Sequence, residues 1–159
     1  MRGGPKIEHL DSQDWFEVIK LQMPDGRIAR VLETWIELSP NYVCFYNKWD
    51  PGVIGPRHGH EGDHSILITK GSISDGTHEC TPGSHIMLEH GDLFGPWEAG
   101  PEGCEMYGVI MGRGPSFSDP AEWAGYLRDR GITALPVPVP PVPPWLRGMA
   151  VLPTESSDA

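Results

Sequence analysis

Long apolar runs are absent from this chain of 159 residues. No stretch approaches the roughly eighteen consecutive apolar residues that a membrane-spanning helix needs. The first five residues lead into no apolar segment of the kind found in secretory signal peptides. We therefore expect a cytoplasmic protein of one domain, with neither a membrane span nor a membrane surface as its partner.

Basic residues are scarce. Lysine and arginine number 12 against 22 aspartates and glutamates, which gives a formal net charge of −10. Proteins that bind nucleic acid or anionic lipid need a basic face to contact phosphates. The charge balance therefore disfavours nucleic acid and favours a small-molecule substrate or another protein.

Cysteine is also rare. The three cysteines, Cys44, Cys80 and Cys104, are odd in number and form no CxxC pair. A disulfide framework or a zinc ribbon would need paired spacings. We interpret these cysteines as small residues of the core in a reducing compartment.

Histidine, in contrast, is concentrated in one place. His58, His60 and His64 fall within seven positions of the segment 52–71. In an extended chain, side chains two apart share a face, so His58 and His60 are expected to point the same way. The turn residues 61–63 precede a β-branched run, and a hairpin there would return His64 toward the other two.

Three neutral imidazoles can bind a divalent transition metal and leave positions open for water, substrate or dioxygen. An isolated HxH pair can also be no more than two histidines that face solvent. The residues alone leave both readings open.

The rest of the chain predicts an all-β domain. Short β-prone segments, divided by glycine and proline turns at near-regular spacing, are typical of an antiparallel sandwich or barrel. One helix is expected, with Ser118 or Asp119 at its start and Gly131 just after its end. The run 135–144 is rich in proline and predicts an extended arm, either a linker to a docked tail or a clasp on a second subunit.

The histidine segment resembles the first signature of the cupin family. That signature reads glycine, five residues, His-x-His, three or four residues, glutamate, six residues and glycine. Gly52, His58, His60 and Gly71 match it at every interval, and His64 stands where the family usually has a glutamate ligand.

The second family signature is matched only in part. Gly83 and Gly91 have the expected separation, but Glu89 takes the place of the proline. Phe94 takes the place of the ligand histidine, and Glu98 takes the place of the asparagine. The resemblance covers about residues 40–112.

The resemblance implies a small cupin, which is a double-stranded β-helix or jelly-roll barrel with a metal inside its mouth. We divide the chain into a lead-in (1–14), the barrel (15–115), a C-terminal helix (116–134) and a proline-rich arm with a flexible tail (135–159). A homodimer is expected. The implied metal ligands are His58, His60 and His64.

The resemblance implies a metal-dependent enzyme that acts on a small organic substrate. Iron-dependent oxygenation is the leading reaction among those expected. Fe(II) is favoured, while Mn, Ni, Zn or Cu would also suit imidazole ligands. The predicted acid–base residues are Glu98 and Glu89, and the predicted pocket walls are Phe94, Trp97 and Tyr107. The alternatives are a redox-neutral lyase or isomerase, and a non-catalytic cupin that binds a small ligand. A fourth ligand from His85, His90 or a glutamate remains open.

Overall fold

The structure, a computed structural model, describes residues 3–112 and 116–141. Antiparallel strands make up most of this part of the chain, together with a 3₁₀ turn at Leu10–Ser12 and one α-helix. The strands are β1 (Phe16–Gln22), β2 (Ile28–Ser39), β3 (Tyr42–Trp49), β4 (Ile54–Gly55), β5 (His58–His60), β6 (His64–Ser74), β7 (Glu79–Cys80), β8 (His85–Leu88), β9 (Leu93–Phe94), β10 (Trp97–Met111), β11 (Ser116–Ser118) and β12 (Thr133–Ala134). The helix α1 spans Pro120–Arg128.

The strands form two sheets. The larger has nine strands in the order β12-β1-β2-β3-β10-β6-β7, with β4 pairing to β10 and β8 to β6. The smaller has the order β11-β5-β9. Phe94 of the small sheet belongs to the same buried cluster as Val31 and Ile66 of the large one. The apolar faces of both sheets therefore enclose one main core, as expected for a jelly-roll barrel.

Strand β10 is central to the large sheet, since it pairs with β3, β4 and β6. The first part of β10 runs through a Gly- and Pro-rich sequence, residues 97–103. The strand begins at Trp97, and its register against β6 shifts between Ala99 and Cys104. A bulge of this kind accommodates Pro101, which has no N–H to donate to the ladder.

The predicted helix is present and begins as the sequence suggested. The Asp119 side chain accepts hydrogen bonds from the backbone N–H groups of Ala121 and Glu122, and Pro120 occupies the first turn. The segment 116–134, which we named for this helix, also contains two short strands. Strand β11 pairs with β5, and β12 pairs with β1, so both ends of this segment are strands of the two sheets.

Two further expectations concern the C-terminal arm and the assembly of the chain. Residues 142–159, which include most of the predicted arm and tail, lie outside the described residues. The homodimer stays a prediction. In the part of the chain that the structure describes, no helix has the length and apolar character needed to cross a membrane.

Candidate metal centre

The structure brings the three histidines of the 52–71 segment together. His58 and His60 are the two ends of β5, and His64 is the first residue of β6, after the turn at residues 61–63. The ring centroids of His58 and His60 lie 5.2 Å apart, and those of His60 and His64 lie 5.0 Å apart. The hairpin geometry expected from the sequence therefore produces a compact cluster of three imidazoles.

Gly59 is the reason that β5 can pass through so crowded a place. It pairs with Leu93 on one side and with Phe117 on the other. A Cβ at this position would lie 2.4 Å from the Asp92 carbonyl oxygen and 2.7 Å from the Phe117 ring. Only glycine lets the small sheet close around the two flanking histidines.

The imidazoles of His58 and His64 are held in their neutral form. His60 and His64 are each only 4% exposed. Burial lowers the pKa of His58 to about 4. Burial, and after it the neighbouring imidazoles of His60 and His58, hold the pKa of His64 well below its usual value. Neutral imidazole is the form that binds a metal ion, because protonation removes the coordinating lone pair.

Hydrogen bonding fixes the tautomer of one ring and leaves another unsatisfied. His58 Nδ1 lies 3.0 Å from the carbonyl oxygen of Pro56, which can only accept, so Nδ1 carries the proton and Nε2 keeps its lone pair. His64 has both ring nitrogens buried with no hydrogen-bond partner among the described residues. A buried polar group without a partner is costly, and an ion coordinated by this ring would remove that cost.

The donor set thus suits a divalent transition metal, although the side chains are not arranged as a closed coordination sphere. Among residues 3–112 and 116–141, no group of three or more His, Cys, Asp or Glu side chains has the geometry to hold an ion directly. Instead the rings pack edge to face on one another, at interplanar angles of 85° and 90°. Rotation of the imidazoles about their side-chain bonds is required before they can share one ion.

The histidines open into an internal cavity of about 90 Å³. For comparison, a cavity of about 150 Å³ lined by apolar side chains is large enough to bind benzene. Its walls are mainly apolar and aromatic, and they include Val31, Phe45, Ile66, Met106 and Ile110. No lysine or arginine of the described chain lines it. The cavity therefore suits a small, uncharged molecule.

Two of the three predicted pocket residues line this cavity. Phe94 lies directly opposite His58 in the small sheet, with the two ring centroids 4.2 Å apart, and Trp97 packs beside Phe94 at 6.5 Å. Tyr107 is elsewhere. It points away from the cavity on the outer face of β10 and is 36% exposed. Of the three residues predicted to wall the pocket, Phe94 and Trp97 line the cavity and Tyr107 does not.

The structure does not bring the predicted acid–base residues to the cluster. Glu98 and Glu89 are both exposed, and neither lines the cavity. His85 and His90 are exposed as well, which gives no support to either as a fourth ligand. In strand β10, Trp97 points inward, and its neighbour Glu98 must therefore point outward, as strand alternation requires.

The acidic residue that does line the cavity is Glu33, which was not among the residues predicted from the sequence. It lies on β2 directly opposite Asn47 of β3. With the Asn47 amide oriented so that its nitrogen faces the carboxylate, that nitrogen donates to Glu33 Oε2 at 2.9 Å and to the Tyr46 carbonyl oxygen at 3.3 Å. A charged residue within a half-buried strand, between Leu32 and Thr34, was the available signal.

Burial raises the pKa of Glu33 to about 7, although hydrogen bonds from Asn47 and Trp35 act in the opposite direction. The residue as a whole is only half-buried, but its carboxyl group is enclosed by protein. Desolvation therefore dominates its ionisation.

Comparison by sequence gives no relative. No protein-family model matches the chain, and no curated protein matches it either.

Comparison by structure gives proteins of similar fold, and the three described here have low sequence identity to this chain. The polyketide cyclase RemF from Streptomyces resistomycificus matches with a TM-score of 0.59 and 20% identity, over 77% of this chain and 94% of that one. A proposed acetylacetone dioxygenase from Methylibium petroleiphilum matches with a TM-score of 0.57 and 15% identity, over 86% of this chain and 91% of that one. A sugar phosphate isomerase of the cupin superfamily from Silicibacter pomeroyi matches with a TM-score of 0.53 and 19% identity, over 73% of this chain and 82% of that one.

At such identities the likeness establishes the fold and not the reaction. Together with the two-sheet topology, it shows that this chain has the cupin fold.

Proposed function

We propose that the protein is a metal-dependent enzyme that acts on a small, largely apolar organic molecule inside the barrel. The observation that carries this proposal is His64, whose two ring nitrogens are buried without a hydrogen-bond partner beside two other imidazoles. Burying such a ring is unfavourable unless something binds it. A divalent metal held by His58, His60 and His64 would supply that bond.

The residues of the site have separable tasks. When bound, the ion would act as a Lewis acid toward an oxygen of the substrate. His58 is oriented for coordination by its hydrogen bond to Pro56. Phe94 and Trp97 form an apolar wall that excludes water from the reacting atoms.

Two reaction types are compatible with this site. A redox-neutral lyase, isomerase or cyclase is favoured by the cavity carboxyl group of Glu33, because such reactions require proton transfer. Iron-dependent oxygenation, the first expectation from the sequence, is favoured by the uncharged three-imidazole donor set. The fold neighbours named as a polyketide cyclase and a proposed acetylacetone dioxygenase illustrate one of each type.

The test begins with metal content. Untagged wild-type protein is compared by elemental analysis with His60→Ala and His64→Ala, after reloading with Fe(II), Mn(II), Ni(II) or Zn(II). We expect about one ion per chain in the wild type and loss of that ion in both variants. His85→Ala is the matched control, since His85 is an exposed histidine that hydrogen-bonds Ser65 on the outside of the sheet.

Oxygen consumption then separates the two reaction types, because only the oxygenase uses dioxygen. A protein that fails to retain any of these ions, or that binds small ligands equally well with and without metal, would instead be a non-catalytic cupin.

A further inference from the structure

The Glu33 carboxyl group is the unexplained feature of the cavity. The other titratable side chains that line it are His58, His60 and His64, and no lysine or arginine of the described residues is present to pair with the carboxylate. A carboxyl group enclosed by apolar walls costs stability, so its presence calls for a role.

We propose that Glu33 is the acid–base group of this site, and that the substrate is a small uncharged carbonyl compound that loses a proton from the carbon next to its carbonyl group. This inference rests on the proposed function, since the carbonyl oxygen is the part of the substrate that the histidine-held ion would polarise. It assigns to Glu33, on β2, the acid–base role that was predicted from the sequence for Glu98 and Glu89.

The geometry supports Glu33 as a group held ready for proton transfer. Its position opposite Asn47 is fixed by the pairing of β2 with β3. The Asn47 nitrogen holds Glu33 Oε2 and is itself anchored by the Tyr46 carbonyl oxygen. The carboxyl group is therefore oriented by a rigid sheet and not by a loop, and its raised pKa suits a base that works near neutral pH.

The chemical step is balanced without an oxidant. The Glu33 carboxylate takes the proton as the C–H bond breaks, and the electron pair of that bond remains on the substrate as its enolate form. The protonated Glu33 then returns the proton to a different atom of the substrate, which gives an isomer of the substrate. No electron leaves the substrate, and Glu33 is regenerated as a carboxylate.

The other polar features of the cavity fit a carbonyl compound. The indole N–H of Trp49, which also lines the cavity, is buried without a hydrogen-bond partner among the described residues. It is an unused donor for a second oxygen of the ligand. The absence of lysine and arginine from the described lining makes a phosphate or carboxylate substrate unfavourable.

The test compares wild-type protein with Glu33→Gln, which keeps the size and hydrogen-bonding capacity of the side chain but cannot take a proton. Glu102→Gln, at an exposed position on β10, is the control. Each protein is loaded with the metal that the wild type retains. Exchange of the α-protons of acetone and cyclopentanone is followed by NMR in heavy water across pH, above the rate in buffer.

We expect wild type and Glu102→Gln to catalyse exchange, with a rate that rises as pH passes the pKa of Glu33. Glu33→Gln should keep its metal but lose about 100-fold or more of the rate, the usual contribution of a general base. An infrared difference spectrum supplies a readout independent of activity. The wild type should show a protonated carboxyl band that disappears as pH is raised, and Glu33→Gln should lack it.

Three results would overturn the inference. The first is wild-type protein that retains metal but exchanges the protons of neither ketone, and the second is a Glu33→Gln variant whose exchange rate is within about two-fold of the wild-type rate. The third is a Glu33→Gln variant that loses its metal, which would make Glu33 a ligand or a structural residue. Failure of the proposed function is distinguishable, because it appears as wild-type protein that holds no metal at all. In that case the acid–base assignment falls with it, whatever the infrared band shows.

Discussion

Replacing Glu33 by glutamine should stabilise the protein, and the gain should grow with pH. The enclosed carboxyl group has its pKa raised from 4.5 to about 7. The folded protein therefore holds this proton more tightly than the unfolded chain does. Stability attributable to Glu33 is complete below about pH 4.5, is lost as pH rises through the interval from 4.5 to 7, and stays lost above it.

The size of the effect follows from the two pKa values. One pKa unit corresponds to about 1.4 kcal/mol, so ionisation of Glu33 costs the folded state about 3 kcal/mol at pH 8. At pH 5.5 the same relation gives about 1.4 kcal/mol, because the folded state is still protonated there. The difference in unfolding free energy between Glu33→Gln and wild type should thus increase by about 2 kcal/mol from pH 5.5 to pH 8. Water in the cavity would reduce this value.

The assay is urea unfolding of both proteins, freed of metal with a chelator, at several pH values. Taking the difference between the two proteins removes the contribution of His58 and His64, whose lowered pKa values act in the opposite direction. Glu102→Gln, at an exposed position, should change stability by less than about 0.5 kcal/mol at every pH. A difference between Glu33→Gln and wild type that is constant from pH 5.5 to 8, or a variant that is less stable at pH 8, would refute the reasoning.

Other substitutions test the geometry around the histidines. Phe94→His places a fourth imidazole opposite His58, where the ring centroids are 4.2 Å apart; we expect metal to be retained at least about tenfold more tightly in competition with a chelator. Glu98→Gln should change the exchange rate of ketone α-protons by less than about two-fold, because Glu98 is exposed, whereas a base at that position would make the loss about 100-fold. Gly62→Ala should destabilise the protein by about 1–3 kcal/mol and weaken metal retention, since its Cβ would collide with the Met111 carbonyl oxygen and displace the turn before His64. Gly125→Ala, on helix α1, where the nearest atom to a Cβ is an Arg128 side-chain nitrogen at 3.5 Å, should instead be neutral or stabilising by up to about 1 kcal/mol in thermal unfolding.

The sequence predicted those parts of the site that depend on local chain geometry. His58 and His60 share a strand, and His64 follows one turn later, so alternation and turn chemistry were sufficient to bring them together. Phe94 could be placed because its signature fixes its distance in sequence from Gly83 and Gly91. The all-β barrel followed from strand-prone segments divided by turns.

What could not be predicted depends on pairing between distant strands. Glu33 reaches the cavity because β2 pairs with β3, and β3 pairs with β10, which in turn pairs with the histidine strand β6. No local sequence pattern in β2 indicates these pairings between distant strands. Glu98 was misplaced for the opposite reason: the family signature puts it near the metal, but strand alternation after the inward-facing Trp97 turns it outward.

The residues that oppose stability are the ones that the proposed chemistry needs. An apolar barrel of this size would be more stable with leucine or phenylalanine in place of His64 and Glu33, since both carry buried polar groups whose solvation is lost. Their two strands, β6 and β2, are held in place by neighbours on both sides. The sheet can therefore hold an imidazole and a carboxyl group in fixed positions at the same cavity. A group kept where it costs stability and where it can reach a bound molecule is better explained by function than by packing.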